Sequence, residues 1–376
     1  MLCFVSRTCL GAKSLIYSLL ILCAAIPLGC AGAENQVIKQ KPYETKVMHT
    51  EWSGSERGII STVRTVGLET GAKTIALRQS GKIDGLKVSP NSKKLAFIMD
   101  RSSLYVCDID GKNRRLIDRS VLGWAAWSSQ NNRIAYVKWD SNTSKSTVMV
   151  CNVRNRAKAA LNLSVYANMP CAVLDWYPHD AAIAVYVRGG SETENTLVKF
   201  DMSTGKVSKV ADNALLRGFT KQGNLIVTRP IAVEDSSTAN RVPNQPKIRW
   251  YIYLGKDNGS FKKIIKDGSR SAIIAASSDG GAIAFSKVDG SRGDQLFMAN
   301  SDGTGERRLT DLSSYTGLIP AWSPDKRYIV FAATRRRGQD SGTYLYRYDM
   351  KNRTVKSVFN QGEKPSQVGS VFAVFK

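Results

Sequence analysis

The chain has 376 residues, 43% hydrophobic and 23% charged, with 30 glycines and 11 prolines. That apolar mass excludes a disordered chain, and a single long apolar run excludes a multi-span membrane protein. The 54 basic and 31 acidic residues leave a net charge of +23, which alone would suit a nucleic-acid binder.

Residues 1–33 read as a secretory signal. Arg7 and Lys13 are its only charges, an apolar run spans 15–28 broken by Ser18, and Ala31-Gly32-Ala33 gives the small-x-small cleavage pattern. The run is short of the roughly 20 residues a membrane span needs. Cleavage before Glu34 is expected, and export argues against nucleic acid as a partner. A lipoprotein anchored at Cys30 is the alternative, although Pro27 stands where that motif wants leucine. Three cysteines remain after the signal, Cys107, Cys151 and Cys171. No CxxC or Cys/His pattern accompanies them, so they read as small buried hydrophobes, and no metal or cofactor is expected.

Residues 34–48 read as an N-terminal extension and 49–376 as a repeat domain. A nine-residue block recurs seven times: SGSERGIIS from Ser53, SPNSKKLAF from Ser89, SSQNNRIAY from Ser128, YPHDAAIAV from Tyr177, FTKQGNLIV from Phe219, SSDGGAIAF from Ser277 and SPDKRYIVF from Ser323. Its seventh place is always aliphatic: Ile59, Leu95, Ile134, Ile183, Leu225, Ile283 and Ile329. Trp52, Trp127, Trp176 and Trp322 stand just before four of the blocks, a position that suits blade packing. Start-to-start spacing runs from 36 to 58 residues, the period of a four-stranded propeller blade. Each block opens in a turn and closes in a strand. A second apolar strand, a tight polar turn such as Asp108-Ile109-Asp110-Gly111, and a basic last strand follow. With the stretch before each block this gives four strands, A to D. The fold class is all-β, a propeller of antiparallel four-stranded blades, seven by this count, with six or eight open. The apolar run 369–375 suits a closing strand that removes the open edge.

Ser323-Pro324-Asp325 ahead of Tyr328-Ile329-Val330-Phe331 resembles the WD40-like (PD40) repeat of the TolB family of exported propellers. Residues 277–310 and 89–117 are further good matches. The resemblance implies a periplasmic or envelope-associated propeller that assembles with other envelope components. The α/β domain that precedes the TolB propeller has no counterpart in the roughly 18 residues between the cleavage site and Trp52. A role resting on that domain is therefore not carried over.

Catalytic signals are sparse. His179 lies in the fourth block's turn beside Asp180, without a nucleophile motif. The Asp108 turn lacks the glutamate a calcium loop needs. Arg292-Gly293-Asp294 matches the integrin tripeptide, where chance is the default. Basic D strands (Arg78, Lys206, Lys209, Lys262, Lys263, Lys356) suit charged outer edges that block aggregation. The remaining cations collect between strands B and C, where loop length varies most: 138–147, 188–196, 228–247, 287–294 and 334–343. These stretches carry Lys138, Lys145, Arg188, Arg229, Arg241, Lys247, Lys287, Arg292 and the run Arg335-Arg336-Arg337, with Trp139 placed in a loop among them. Glu192, Glu194, Glu234, Asp235 and Asp340 dilute the charge. Binding evolves on loops held by a rigid scaffold. The expectation is therefore a non-enzymatic envelope scaffold that holds a protein or anionic partner on this face. An exported lyase-like enzyme acting on an acidic polysaccharide is the alternative.

Overall fold

The computed structural model describes residues 44–375 apart from 56–57, 167–168, 190–194, 234–246, 267–273, 289–292, 314, 336–341 and 360–367. The described residues form seven four-stranded antiparallel sheets, with only two short 3-10 turns, Ser164–Tyr166 and Pro178–Asp180. Blades 1 to 6 span residues 83–118, 121–161, 171–212, 215–263, 274–308 and 315–357, each with its strands in chain order. Blade 7 is composite. Val368–Phe375 is its inner strand A, and Lys46–Ser55, Gly58–Gly67 and Lys73–Ser80 follow outward as B, C and D. Lys46 pairs with Phe375, Val47 with Val374 and His49 with Phe372. Each A strand lies beside that of the next blade, and the strand from the C-terminal end lies between those of blades 6 and 1, so the ring is shut.

The core is divided in the same way. Seven apolar clusters are found, one in each seam between neighbouring blades. The seventh-place aliphatics of blades 1 to 6 are their anchors, all at 0–1% exposure. Cys107 and Cys151 fill two of the clusters, and burial pushes the Cys107 thiol up to about 12.

The nine-residue block is a latch built from short polar side chains. Its first Ser accepts from the sixth residue's N–H: Lys94 to Ser89 at 2.9 Å, Ala282 to Ser277 at 3.0 Å and Tyr328 to Ser323 at 2.8 Å. The same hydroxyl donates to Asn91, Asp279 or Asp325 two residues on. The fourth residue sits at positive φ, as at Ser92, Asn131, Asp180 and Lys326. These turns then grip one another across the seams. Asn91 N–H donates to Asn131, Ser129 N–H to Asp180 at 2.6 Å, Lys326 to Asp279 at 2.6 Å, and the Thr45 hydroxyl to Asp325 at 3.0 Å. Indole N–H groups add a second set of ties. Trp127 donates to Lys87 O, Trp176 to Ala126 O and Trp322 to Ala275 O, each on the preceding blade's A strand.

Two of the seven blocks are read differently once folded. Ser53 to Ser61 is not an A–B turn. It joins strands B and C of the composite blade, because the strand from the C-terminal end takes the inner place and moves the N-terminal strands outward by one. Ile59 is accordingly 43% exposed, and Trp52 donates forward to Ile83 O of blade 1. The block at Phe219 is one residue short. Phe219 pairs with Leu225, as Trp176 pairs with Ile183, so Phe219 stands at the tryptophan place. The first strand also begins at Lys46, three residues ahead of the boundary read from the sequence.

Two tests follow from this architecture. A chain ending at Gln361 lacks strand A of blade 7 and leaves the inner edge of Lys46–Ser55 unpaired. It is expected to elute as aggregate and to lose a cooperative melt, and a monomeric profile with an unchanged melt would show that the strand is dispensable. The second concerns acid. Asp118 accepts from Tyr136 (2.7 Å), Lys158 (2.9 Å) and Lys138 (3.1 Å), tying blade 1 to blade 2. Burial alone would raise its carboxyl, but these hydrogen bonds prevail and hold it at about 2. In blade 7, His49 and then Arg64 hold Glu51 at about 2. Both groups stabilise the fold fully above their ordinary values of 3.8 and 4.5 and lose that contribution as pH falls toward about 2. The melting temperature is expected to drop across this window, and less so in Asp118→Asn.

Candidate binding face

Chain direction assigns every connection to one of two faces. A–B and C–D turns lie on one, the turn face. B–C and D–A connections lie on the other, the loop face. The turn face is occupied by the seam latches described above. The loop face differs in what it leaves exposed. Of the eight large apolar residues exposed among the described residues, Ile59, Leu122, Val165, Met169, Ile231 and Ile248 lie at B–C or D–A ends. Trp124 sits in the bulged inner strand of blade 2, and Ile75 is the third residue of the outer strand of blade 7, toward its C–D end.

The cations expected on the loop face fare differently from one another. Arg335 closes strand B of blade 6, facing Tyr315 on strand A and Gly342 on strand C. Arg188 is exposed just after strand B of blade 3, its N–H donating to Pro170 O at 2.8 Å. Lys247 opens strand C of blade 4. Arg336, Arg337, Arg241 and Arg292 lie outside the described residues. Trp139 and Arg229, also expected in loops, lie in strands as well. Trp139 belongs to Arg133–Asp140 and is half-buried, its N–H on Ser120 O at 2.7 Å. Arg229 belongs to Leu225–Val233, and its guanidinium lies 4.7 Å from the Phe261 ring centre and 5.4 Å from that of Tyr253. Both B–C hairpins extend beyond the blade, so apparent loop sequence is paired backbone. Lys138 and Lys287 bind Asp118 and Glu306.

Sequence reading missed a tyrosine cluster beside Arg335. The Tyr315 and Tyr346 hydroxyls are 2.8 Å apart, with ring centres at 5.8 Å and nearly perpendicular. Tyr344 stands 6.0 Å from Tyr315, and Phe331 stacks on Tyr346 at 5.5 Å. Burial, then the bond to Tyr315, push the Tyr346 hydroxyl up, while Arg335 opposes the shift. The residues are separated along the chain, so spacing carried no signal. The central channel holds a second charged set. Asp175 is solvent-accessible on the A strand of blade 3, yet the surrounding walls push its carboxyl up, with Trp176 N–H and Lys87 acting the other way. Lys87 is on blade 1, two blades away, and its charge acts on Asp175 from a distance.

The histidines do not build a catalytic pair. His179 is exposed on the turn face, and its neighbour Asp180 is buried against Ser129 and Gln130 N–H. His49 is fully buried in blade 7, with Nε2 on Glu51 at 3.1 Å. Among the described residues no three His, Cys, Asp or Glu side chains converge as metal ligands.

No protein-family model matches the chain, and no curated protein matches it in sequence. Solved structures do match in fold. An oligogalacturonate lyase in complex with manganese is 13% identical, over 80% of this chain and 90% of its own, with a TM-score of 0.57. The β-propeller domain of the Trilobed protease from Pyrococcus furiosus, which has an open velcro topology, is 11% identical over 85% and 94%, with a TM-score of 0.58. TolB from Acinetobacter baumannii is 16% identical over 82% and 78%, with a TM-score of 0.46. At such identities the likeness shows the β-propeller fold and nothing finer.

The placement of Arg229 makes it a packing residue. Arg229→Ala is expected to lower stability by about 1–2 kcal/mol through lost stacking and stem burial, measured by denaturant melts. A variant as stable as the parent would return Arg229 to the binding surface.

Proposed function

We propose that this chain is a non-enzymatic binding propeller of the bacterial periplasm or cell envelope, holding a protein or anionic envelope partner on its loop face. One observation carries the reading: exposed apolar side chains collect on the loop face, while the turn face is consumed by blade-to-blade hydrogen bonds. Exposed apolar surface gathered on one side of a scaffold is the usual mark of an interaction site. The net charge of +23 adds attraction for an anionic surface, and exposed charges are screened beyond about 8 Å at physiological ionic strength. Binding therefore weakens as salt rises.

A lyase-like enzyme acting on an acidic polysaccharide is the second reading. It is favoured by the Tyr315–Tyr346 pair next to Arg335, since such a site needs a phenol or imidazole base with a cation for the sugar carboxylate. The two readings separate in one experiment. The mature chain, the loop-face variant Ile231→Asp/Ile248→Asp and the turn-face variant Arg154→Asp are each used to capture partners from envelope extract. Binding is expected to fall about tenfold or more in the loop-face variant only. Equal capture by all three, together with release of unsaturated sugar from pectin-like polymers, would replace the scaffold with the enzyme.

A further inference from the structure

The seam between blades 5 and 6 holds an unbalanced buried carboxylate on the loop face. Asp294 opens strand C of blade 5, Asp294–Asn300, and Thr316 is the second residue of strand A of blade 6, Tyr315–Trp322. The two blades approach closely here. Gly293 and Tyr315 form an isolated bridge, and a Cβ on Gly293 would lie 2.9 Å from the Tyr315 carbonyl oxygen. Gly317, at φ +65°, turns its N–H onto Asp294 Oδ2 at 2.7 Å. Asp294 from blade 5 is thereby inserted against the Thr316–Gly317 peptide of blade 6.

Asp294 is only 3% exposed, and its second oxygen, Oδ1, is buried and accepts no hydrogen bond. The Thr316 hydroxyl, on the residue next to Gly317, is also buried without a partner. No ion pair reaches Asp294 among the described residues. A carboxylate taken out of water and met by one neutral N–H is strongly under-compensated. Poor packing is not the reason, because the adjacent Gln295 is fully satisfied. Its Oε1 accepts from the Thr310 hydroxyl and from the Leu312 N–H, both at 2.9 Å, and its Nε2 donates to Leu312 O. The shortfall is confined to two oxygens, one of them charged. A water molecule would complete the hydrogen bonding but leave the charge.

We propose that Asp294 Oδ1 and Thr316 Oγ1 hold a hard divalent cation of the calcium type in this seam. The donors are all oxygen, which favours calcium over softer metals. Water carried in with the ion completes its coordination. With a single carboxylate the site is weak, in the range of about 10⁻⁴–10⁻³ M. Thr316 follows Tyr315 in strand A of blade 6, so the site adjoins the tyrosine cluster. The buried position of Asp294 also removes Arg292-Gly293-Asp294 from consideration as an exposed recognition tripeptide.

The test uses the full mature chain, stripped with a chelator. Addition of 10 mM (about ten half-saturations) calcium chloride is expected to raise the melting temperature by roughly 2–4 °C over sodium chloride of equal ionic strength. Magnesium, which dehydrates reluctantly, is expected to give a smaller rise. Asp294→Asn removes the buried charge. It should melt higher than the stripped parent and gain nothing from calcium, a reversal that a purely structural carboxylate would not show. Thr316→Val keeps the carboxylate and should shift half-saturation to higher calcium. Terbium luminescence sensitised by tyrosine reports occupancy directly and should be lost in Asp294→Asn. A parent that melts alike in calcium and sodium, or a calcium response retained in Asp294→Asn, overturns the proposal.

Discussion

Ring closure is the constraint on which the molecule depends. A strand edge left open would expose unpaired N–H and C=O groups, and each blade is too small to hold a core alone. Pairing Val368–Phe375 with Lys46–Ser55 removes the edge and completes the last two seams. Met48 and Phe375 then bury against Ile83 and Phe97 of blade 1, while Val47 buries against Val330 and Leu345 of blade 6. The first and last strands of the described residues are thus held in the composite blade, with the ordering entropy of the ring offset by burial in all seven seams at once.

Closure also sorts the two faces. The turn face must bring six chain-built A–B turns into mutual contact, and it does so with side chains that are short and polar. Ser, Asn and Asp satisfy the turn backbone locally and then reach the neighbouring turn, as Asp180 does for Ser129. Such turns tolerate little change in length. The loop face has no such duty, so its hairpins vary, as in the long Leu225–Val233 and Lys247–Gly255 pair. Apolar residues such as Ile231 and Ile248 can be left in water there. The most repetitive part of the sequence is therefore structural, and the most variable part is available for a partner.

Charge follows a related division. Several basic residues that look free in the sequence are committed once folded. Lys138 and Lys158 share Asp118, Lys287 takes Glu306, and Arg229 lies over Phe261 and Tyr253. Arg188 and Arg335 stay at the loop face. Among the described residues the cationic character of that face is thus narrower than composition suggests, and it is coupled to tyrosine at blade 6.

The repeat period, the aliphatic seventh place and the turn residues determined the propeller, because each block carries its own local hydrogen-bonding logic and its own buried anchor. Blade number followed from counting, though the block at Ser53 was counted in the wrong role. An antiparallel hairpin between apolar strands reads the same whether it joins A to B or B to C, and only pairing with a strand some 300 residues away decides which it is. Arg229 and Trp139 were misplaced for a similar reason: loops and extended hairpins share composition, and ladder bonds across the sheet set where a strand ends. The tyrosine cluster, the raised carboxyl of Asp175 and the half-satisfied Asp294 had no sequence signal. Their members come from different strands or different blades, and their chemistry comes from burial and proximity that the closed ring alone imposes.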